Sequence, residues 1–177
     1  GEQRLRLNSA ESRLRLQTIV RLRWFAVVGQ LAAIGFVYLV LGYDMPVGTC
    51  LTIIALSAWL NVFLRIKYPA RHRLGARFAS LLLAYDVVQL SALLYLTGGI
   101  ENPFTVLVVA PVTVSAATLP PRNTIILGAF ALAASALLVP FHLRLPWRAG
   151  EMISLPLLYK LGILAAIAAC TIFLALY

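Results

Sequence analysis

The chain contains six apolar runs, each close to the length of a membrane-crossing helix, and they restrict its possible folds most. They cover residues 24–43, 47–64, 78–97, 103–119, 123–143 and 156–177. A helix needs about 20 apolar residues to cross the hydrocarbon core of a bilayer. With 62% hydrophobic and 12% charged residues, the chain has more apolar surface than a soluble domain of its size can bury. The sequence therefore predicts an all-α membrane protein, a bundle of six transmembrane helices with short loops.

Basic residues are concentrated on one side of the predicted bundle. Segment 1–23 has six Arg, connection 65–77 has five Lys or Arg, and turn 120–122 has one, whereas the alternate side has three. Because Lys and Arg favour the cytoplasmic side, both termini are predicted to be cytoplasmic. Residues 1–23 then form a basic juxtamembrane segment, and 24–177 form the membrane domain. The net charge of +9 indicates contact with membrane lipids, and no nucleic acid is expected as a partner.

The connection between the third and fourth runs reads Gly98-Gly99-Ile100-Glu101-Asn102-Pro103-Phe104. The Asn102 side chain is predicted to cap the fourth helix. Pro103 suits the first helical position because it has no N–H group to leave unpaired. The backbone N–H groups of Phe104 and Thr105 would then have no intrahelical acceptor. These residues alone are compatible with a plain turn between two helices and with a binding loop.

The pattern of two glycines, any two residues, then Asn-Pro-Phe resembles the GGxxNPF heptapeptide of the RegB/PrrB family of redox-sensing histidine kinases. Segments Trp24–Ala33 and Ala110–Pro120 are also similar to that family. The resemblance implies a sensor domain of the bacterial inner membrane, with the heptapeptide facing outward and binding ubiquinone as a ligand or signal. The quinone-binding residues that it implies are Gly98, Gly99, Ile100, Glu101, Asn102, Pro103, Phe104 and Thr105.

By the same resemblance, the chain relays the redox state of the quinone to a cytoplasmic kinase, forms a homodimer and acts through a cognate response regulator. The phosphoacceptor-histidine helix and the ATP-binding region of such kinases are absent from residues 1–177. Two alternatives stay open: a small membrane transporter or channel component, and a quinone-using oxidoreductase subunit. No inverted repeat supports the first, and no haem-ligand histidine pair or flavin motif supports the second.

No constellation of residues predicts catalysis by this chain itself, so enzyme activity is implied only for the whole kinase that it resembles. His72 and His142 have no triad or metal-ligand spacing around them, and no metal site is predicted. Cys50 and Cys170 are expected to differ in depth by about 15 Å, too far for a disulfide. Both are interpreted as small packing residues.

Asp86 and Gln89 place two polar side chains on one face in the middle of the third run. An ionised carboxylate is costly at that depth, so Asp86 is expected to be shielded from lipid. One interpretation is a proton-linked or ligand-contacting residue. The other is a packing residue that is protonated, or paired with Gln30, Asn61 or an inner-loop arginine.

Two further expectations concern the packing of helices. Pro111 lies near the middle of the fourth run and predicts a kink that frees a backbone carbonyl. Gly162, Ala166 and Cys170 recur every four residues in the sixth run. Such a row of small residues predicts close packing of that helix; packing inside the monomer is the favoured interpretation over a dimer seam.

Overall fold

The computed structural model describes residues 16–69, 72–144, 146–147, 151–152 and 154–176. Its α-helices, numbered α1 to α6, are Leu16–Gly35, Val47–Lys67, Ala76–Leu96, Val109–Thr118, Pro121–Leu137 and Leu157–Leu176. A π-helix over Phe36–Val40 continues α1, and 3-10 helices Gly99–Glu101 and Pro103–Val108 precede α4. Strands β1 (Pro146–Trp147) and β2 (Glu151–Met152) form a short antiparallel pair that was not predicted. The predicted all-α architecture with six helices is confirmed.

Four helical segments are long and apolar enough to cross a membrane: Leu16–Val40, Val47–Lys67, Ala76–Leu96 and Leu157–Leu176. The segments Pro103–Thr118 and Pro121–Leu137 are apolar but shorter. The first helix is already formed at Leu16, although its apolar run was placed at 24–43. The reason is that Leu16, Ile19 and Val20 share one helical face and are buried in the core.

Helix α1 packs mainly on α2, and α2 packs on α3. Helix α3 also contacts α4 and α5, and these two pack on each other and on α6. The larger core lies among α1 to α5 and includes Leu16, Leu64, Val87, Val112 and Leu127. A smaller core among α1, α2 and α3 includes Val27, Leu93 and the buried, free Cys50.

The alternating helices bring the connections together at two ends of the bundle. At the basic end, the Leu16 N–H donates to the His72 carbonyl oxygen (3.0 Å), and Asn123 Nδ2 donates to Ser80 Oγ (2.7 Å). At the opposite end, called here the heptapeptide end, residues 97–102 meet the connection between α5 and α6. There the Leu143 N–H donates to the Tyr95 carbonyl oxygen (2.8 Å). The assignment of the basic end to the cytoplasm stays a prediction.

Pro111 lies just after a change of helix type, and the kink expected there stays a prediction. The 3-10 helix ends at Val108, so Pro111 is the third residue of α4. A proline is tolerated in the first turn because the N–H at that position needs no intrahelical acceptor. The Leu107 carbonyl, which lies four residues before Pro111, accepts from the Val109 N–H instead.

The row of small residues on α6 does not pack inside the monomer, so that interpretation was wrong. An added Cβ at Gly162 would meet no atom within 4 Å, and Ala166 and Cys170 are exposed. Close approach occurs instead at Gly128 of α5, where an added Cβ would lie 2.5 Å from the methyl carbon of Thr171. The residue that allows α5 and α6 to pack closely is therefore on α5.

Candidate functional site

The loop between α3 and α4 is held by the side chain of Asn102. Its Oδ1 accepts from the Phe104 N–H (2.9 Å), and its Nδ2 donates to the carbonyl oxygen (3.0 Å) and the hydroxyl oxygen (2.9 Å) of Thr97. Pro103 is the first residue of the following 3-10 helix. The predicted cap by Asn102 and the predicted position of Pro103 are confirmed.

The backbone donors that were expected to be unpaired at this helix start have partners within the loop. The Phe104 N–H is used by Asn102 Oδ1, and the Thr105 N–H donates to the Asn102 carbonyl oxygen (3.0 Å). The Thr105 hydroxyl lies 2.7 Å from the same carbonyl oxygen and 2.9 Å from that of Gly99. A ligand carbonyl must therefore find its hydrogen-bond donor elsewhere.

The two glycines of the loop serve the protein's own packing. Gly98 and Gly99 have φ angles of 104° and 59°, in the region that side chains disfavour. A Cβ on Gly99 would collide with the Cβ and Cγ atoms of His142, whose Nδ1 lies 2.9 Å from the Leu138 carbonyl oxygen. Gly98, Gly99 and Ile100 are buried. The close approach that Gly99 permits is thus made by His142, a residue that the sequence did not single out for this loop.

A groove of about 420 Å³ lies between this loop and α6. It is called here the loop–α6 groove and is lined by Glu101, Asn102, Pro103, Thr105, Val106, Leu155, Tyr159, Ile163, Ala166, Ile167 and Cys170. Four of the eight residues implicated by resemblance thus line one groove. Of the other four, three are buried, and the Phe104 side chain is 46% exposed outside the lining. Cys170 is a free, exposed cysteine on the groove wall. Its interpretation as a residue packed inside the domain was therefore wrong.

An ion pair joins the loop to α6 beside the groove. Lys160 Nζ lies 2.8 Å from Glu101 Oε1, and the two side chains are only 18% and 9% exposed. The Leu155 N–H donates to the same carboxylate oxygen (3.1 Å). Burial alone would raise the pKa of Glu101, but the hydrogen bonds from Lys160 and Leu155 and the charges of Lys160 and His142 outweigh it. The net effect is to lower the pKa of Glu101.

A second ion pair lies within the helices and connects α1 to α3. Arg23 Nε is 3.2 Å from Asp86 Oδ1, with 4% and 20% of the two side chains exposed. Arg23 Nη2 donates to Ser57 Oγ on α2 (3.3 Å), and the guanidinium carbon lies 5.1 Å from the centre of the Tyr85 ring. Asp86 therefore has a charged partner inside the bundle.

The sequence-based alternatives for the partner of Asp86 included an inner-loop arginine but not Arg23, which had been assigned to the juxtamembrane segment. Gln30, one of the proposed partners, instead exchanges two hydrogen bonds with Gln89 (3.2 and 2.8 Å). Asn61, another, donates to the Val20 carbonyl oxygen (3.4 Å). The sequence did contain a signal that Arg23 lies within the first helix. Leu16, Ile19 and Val20 share one helical face, and this face extends the helix to before Arg23.

The apolar helices define a multi-pass membrane domain, and the relatives below place it in the bacterial inner membrane. The chain belongs to the family of PilS-like transmembrane domains, which matches residues 13–176. It is 42% identical over 163 residues to the sensor histidine kinase RegB of Cereibacter sphaeroides, covering 92% of this chain and 35% of that protein. It is also 42% identical over 78 residues to the RegB of strain ATCC 17023 of that species, covering 44% of this chain and 17% of that protein.

The predicted resemblance to the RegB sensor kinases is confirmed by these comparisons, and the chain is related to the transmembrane sensor domain of a histidine kinase. It spans about a third of the length of the first of these relatives. No solved structure matches the chain.

Proposed function

We propose that this chain is the membrane sensor of a RegB-like histidine kinase and that it binds ubiquinone in the loop–α6 groove. The observation that carries the proposal is the groove itself, because it brings three of the seven heptapeptide residues, together with Thr105, against one wall of α6. Its volume falls within the range of about 300–1,000 Å³ that is typical of small-molecule sites.

The lining of the groove changes character along α6. Glu101 and Tyr159 supply polar atoms near the start of the helix, whereas Ile163, Ala166 and Ile167 continue as an apolar wall. From Tyr159 to Cys170 the wall extends about 16 Å along the helix axis. A ubiquinone has a polar ring with two carbonyl groups and a long apolar tail. This distribution favours a ring beside Glu101 and a tail that follows α6.

A bound quinone signals only if it has different affinities for two states of the domain. The groove offers a direct route for such a signal, because one wall is α6 and the other is the loop that starts α4. Helix α6 packs on α4 and α5, whereas the main neighbours of α3 are α2, α4 and α5. We therefore place the mechanical connection between the loop and α6, rather than between α3 and α6.

The remaining steps of the proposal follow the relatives, which are named as sensor histidine kinases. A shift of α6 changes the activity of a cytoplasmic kinase, which acts on a cognate response regulator. Oxidised quinone lowers that activity, and the working unit is a homodimer. A tenfold change in signalling needs only about 1.4 kcal/mol of differential binding, comparable to one hydrogen bond.

Photo-crosslinking of a ubiquinone analogue to the chain in nanodiscs tests the proposal. We expect saturable labelling, with the modified peptides mapping to the segments around Val106 and Ile163. The variant Ala166→Phe fills the groove and should abolish labelling, whereas Leu161→Phe places the same ring at an exposed position outside the lining. Absence of saturable labelling, or equal labelling of both variants, would contradict quinone binding in this groove.

Phe104→Ala measures whether the aromatic ring of the heptapeptide contributes to binding. The ring is half-exposed between two residues that line the groove, Pro103 and Thr105, so it can stack on a quinone only at the mouth of the groove. An aromatic contact is worth about 0.5–1.5 kcal/mol, and quinone affinity should fall by up to about tenfold without unfolding. Equal affinity for parent and variant in a quinone titration would remove Phe104 from the site.

A further inference from the structure

Most polar groups at the heptapeptide end already have partners, and this limits which of them can contact a quinone ring. Both ends of the Asn102 amide are hydrogen-bonded within the loop. The Thr105 hydroxyl is close to two backbone carbonyl oxygens. The N–H groups of Phe104 and Thr105 are used as well. The hydrogen bonds to the quinone ring must therefore come from other groups.

The ion pair of Glu101 and Lys160 retains hydrogen-bonding capacity. A lysine ammonium has three donors, and a carboxylate has about four acceptor positions on two oxygens. Among the described residues, Lys160 gives one donor to Glu101 Oε1, and the Leu155 N–H goes to that same oxygen. The pair thus combines further donors on Lys160 with acceptor positions on Glu101.

Both residues are placed to reach a ligand in the loop–α6 groove. Glu101 lines the groove directly. Lys160 precedes Ile163 and Ile167 by three and seven residues, which places these three residues on one face of α6. The two isoleucines line the groove, so Lys160 lies at the polar end of the same wall.

We propose that the Glu101–Lys160 pair is the ring-binding element and that it distinguishes the two redox forms of the ligand; this inference rests on the proposed function. Lys160 donates a hydrogen bond to a carbonyl oxygen of the oxidised quinone. Glu101 accepts one from a hydroxyl group of the reduced quinol. Lys160 lies outside the heptapeptide, so the selectivity depends on α6 as much as on the loop.

A pair that served only to fasten the loop to α6 would affect both redox forms alike. In a ring-binding pair, removing the Lys160 donor lowers mainly the affinity for the quinone. Removing the Glu101 acceptor lowers mainly the affinity for the quinol. The ratio of quinone affinity to quinol affinity is therefore the informative quantity, and it is insensitive to a general loosening of the site.

The experiment titrates the full chain in nanodiscs with decylubiquinone and, separately, with its quinol. Lys160→Met should weaken quinone binding by about tenfold or more while changing quinol binding by less than about threefold. Glu101→Gln should lower the affinity for the quinol more than that for the quinone. Leu161→Met, an exposed neighbour on α6 outside the lining, is the matched control and should bind as the parent does. If Lys160→Met does not fold, Lys160→Gln replaces it, since it keeps a neutral donor and should give a smaller shift in the same direction.

An unchanged affinity ratio in both the lysine and the glutamate variants would overturn the inference, provided that the parent binds quinone saturably. Failure of the parent to bind either form would instead overturn the proposed function together with it. The two failures are therefore distinguishable in one set of titrations.

Discussion

At the scale of single residues, Arg23 and Asp86 form an ion pair in which each charge compensates the other inside the bundle. Arg23 is 4% exposed and Asp86 is 20% exposed, and Ser57 supplies a further contact to the guanidinium group. Removing one member of a buried pair leaves an uncompensated charge and typically costs about 3–5 kcal/mol, whereas replacing both with apolar residues is often neutral. The pair therefore specifies how α1 meets α3 more than it adds net stability.

Asp86→Leu is expected to destabilise the domain by about 3–5 kcal/mol, because it leaves Arg23 buried without its carboxylate. Asp86→Asn should cost less, since it keeps an oxygen acceptor for the guanidinium group. The double variant Arg23→Leu/Asp86→Leu should recover most of the lost stability. Unfolding in mixed micelles by added denaturing detergent measures all three. A double variant as unstable as the sum of the two single variants would show that the residues act independently.

Gly99 is a position where an added methyl group meets two obstacles. Its φ of 59° is unfavourable for a residue with a side chain, and the Cβ would collide with His142. Gly99→Ala should therefore destabilise the heptapeptide end by about 1–3 kcal/mol. Gly29→Ala is the control, because that helical glycine has no atom within 4 Å of an added Cβ and alanine favours the helix. Thermal unfolding that ranked Gly29→Ala below Gly99→Ala in stability would contradict this account.

At the scale of helices and loops, the Glu101–Lys160 pair fastens the loop to α6, and its contribution depends on pH. The pKa of Glu101 is lower in the folded chain than in the unfolded chain. Its stabilisation is therefore fully present above the unfolded value of about 4.3 and is lost as pH falls through the lower folded value. Protection factors for amide hydrogen exchange in the first turn of α6, which correct for the intrinsic exchange rate at each pH, should fall across that acid range. Glu101→Gln should exchange faster at neutral pH and lose the acid dependence; a variant that retains the dependence would assign it to another group.

The elements that the sequence predicted well are those with local causes. Apolar runs of sufficient length produced six helices, and Asn102 followed by Pro103 marked a helix start. The exposure of Ala166 was missed because it depends on how α6 packs on its neighbours, and the 3-10 character of Pro103–Val108 was not predicted. A small-residue row signals that a helix can be approached closely, but it does not say by what.

Of the candidate site, the sequence predicted only the residues of the loop, which a short motif identifies. The loop residues could be named from their sequence, whereas their partners are distant: 59 residues separate Glu101 from Lys160, and 63 separate Arg23 from Asp86. No periodicity or spacing links residues so far apart. His142 was missed for the same reason, since its contact with Gly99 exists only after α5 returns the chain to the heptapeptide end.

At the scale of the whole molecule, the homodimer implied by resemblance requires a surface that the monomer does not use. Gly162, Ala165 and Ala169 of α6 are exposed, and small residues allow helices of two copies to approach closely in a membrane. Mass measurement of the chain in nanodiscs is expected to give two copies. A stable monomer would assign dimerisation to the part of the relatives that this chain does not cover.

The orientation of the domain in the membrane rests on the charge asymmetry between its two ends. The structure places the start of α1 and His72 at the same end, through the contact between Leu16 and His72, and most of the described Lys and Arg residues belong to that end. Because Lys and Arg favour the cytoplasmic side, we expect the heptapeptide end and its groove to face outside.

Labelling with a membrane-impermeant maleimide tests this orientation. Asp44→Cys and His72→Cys are suitable probes because both positions are exposed and lie at opposite ends. Each is made in a background with Cys50→Ala and Cys170→Ala, which removes the two native thiols. In spheroplasts we expect position 44 to react at once and position 72 to react only after the membrane is permeabilised. The reverse pattern would turn the bundle over, and the proposed quinone groove would then face the cytoplasm.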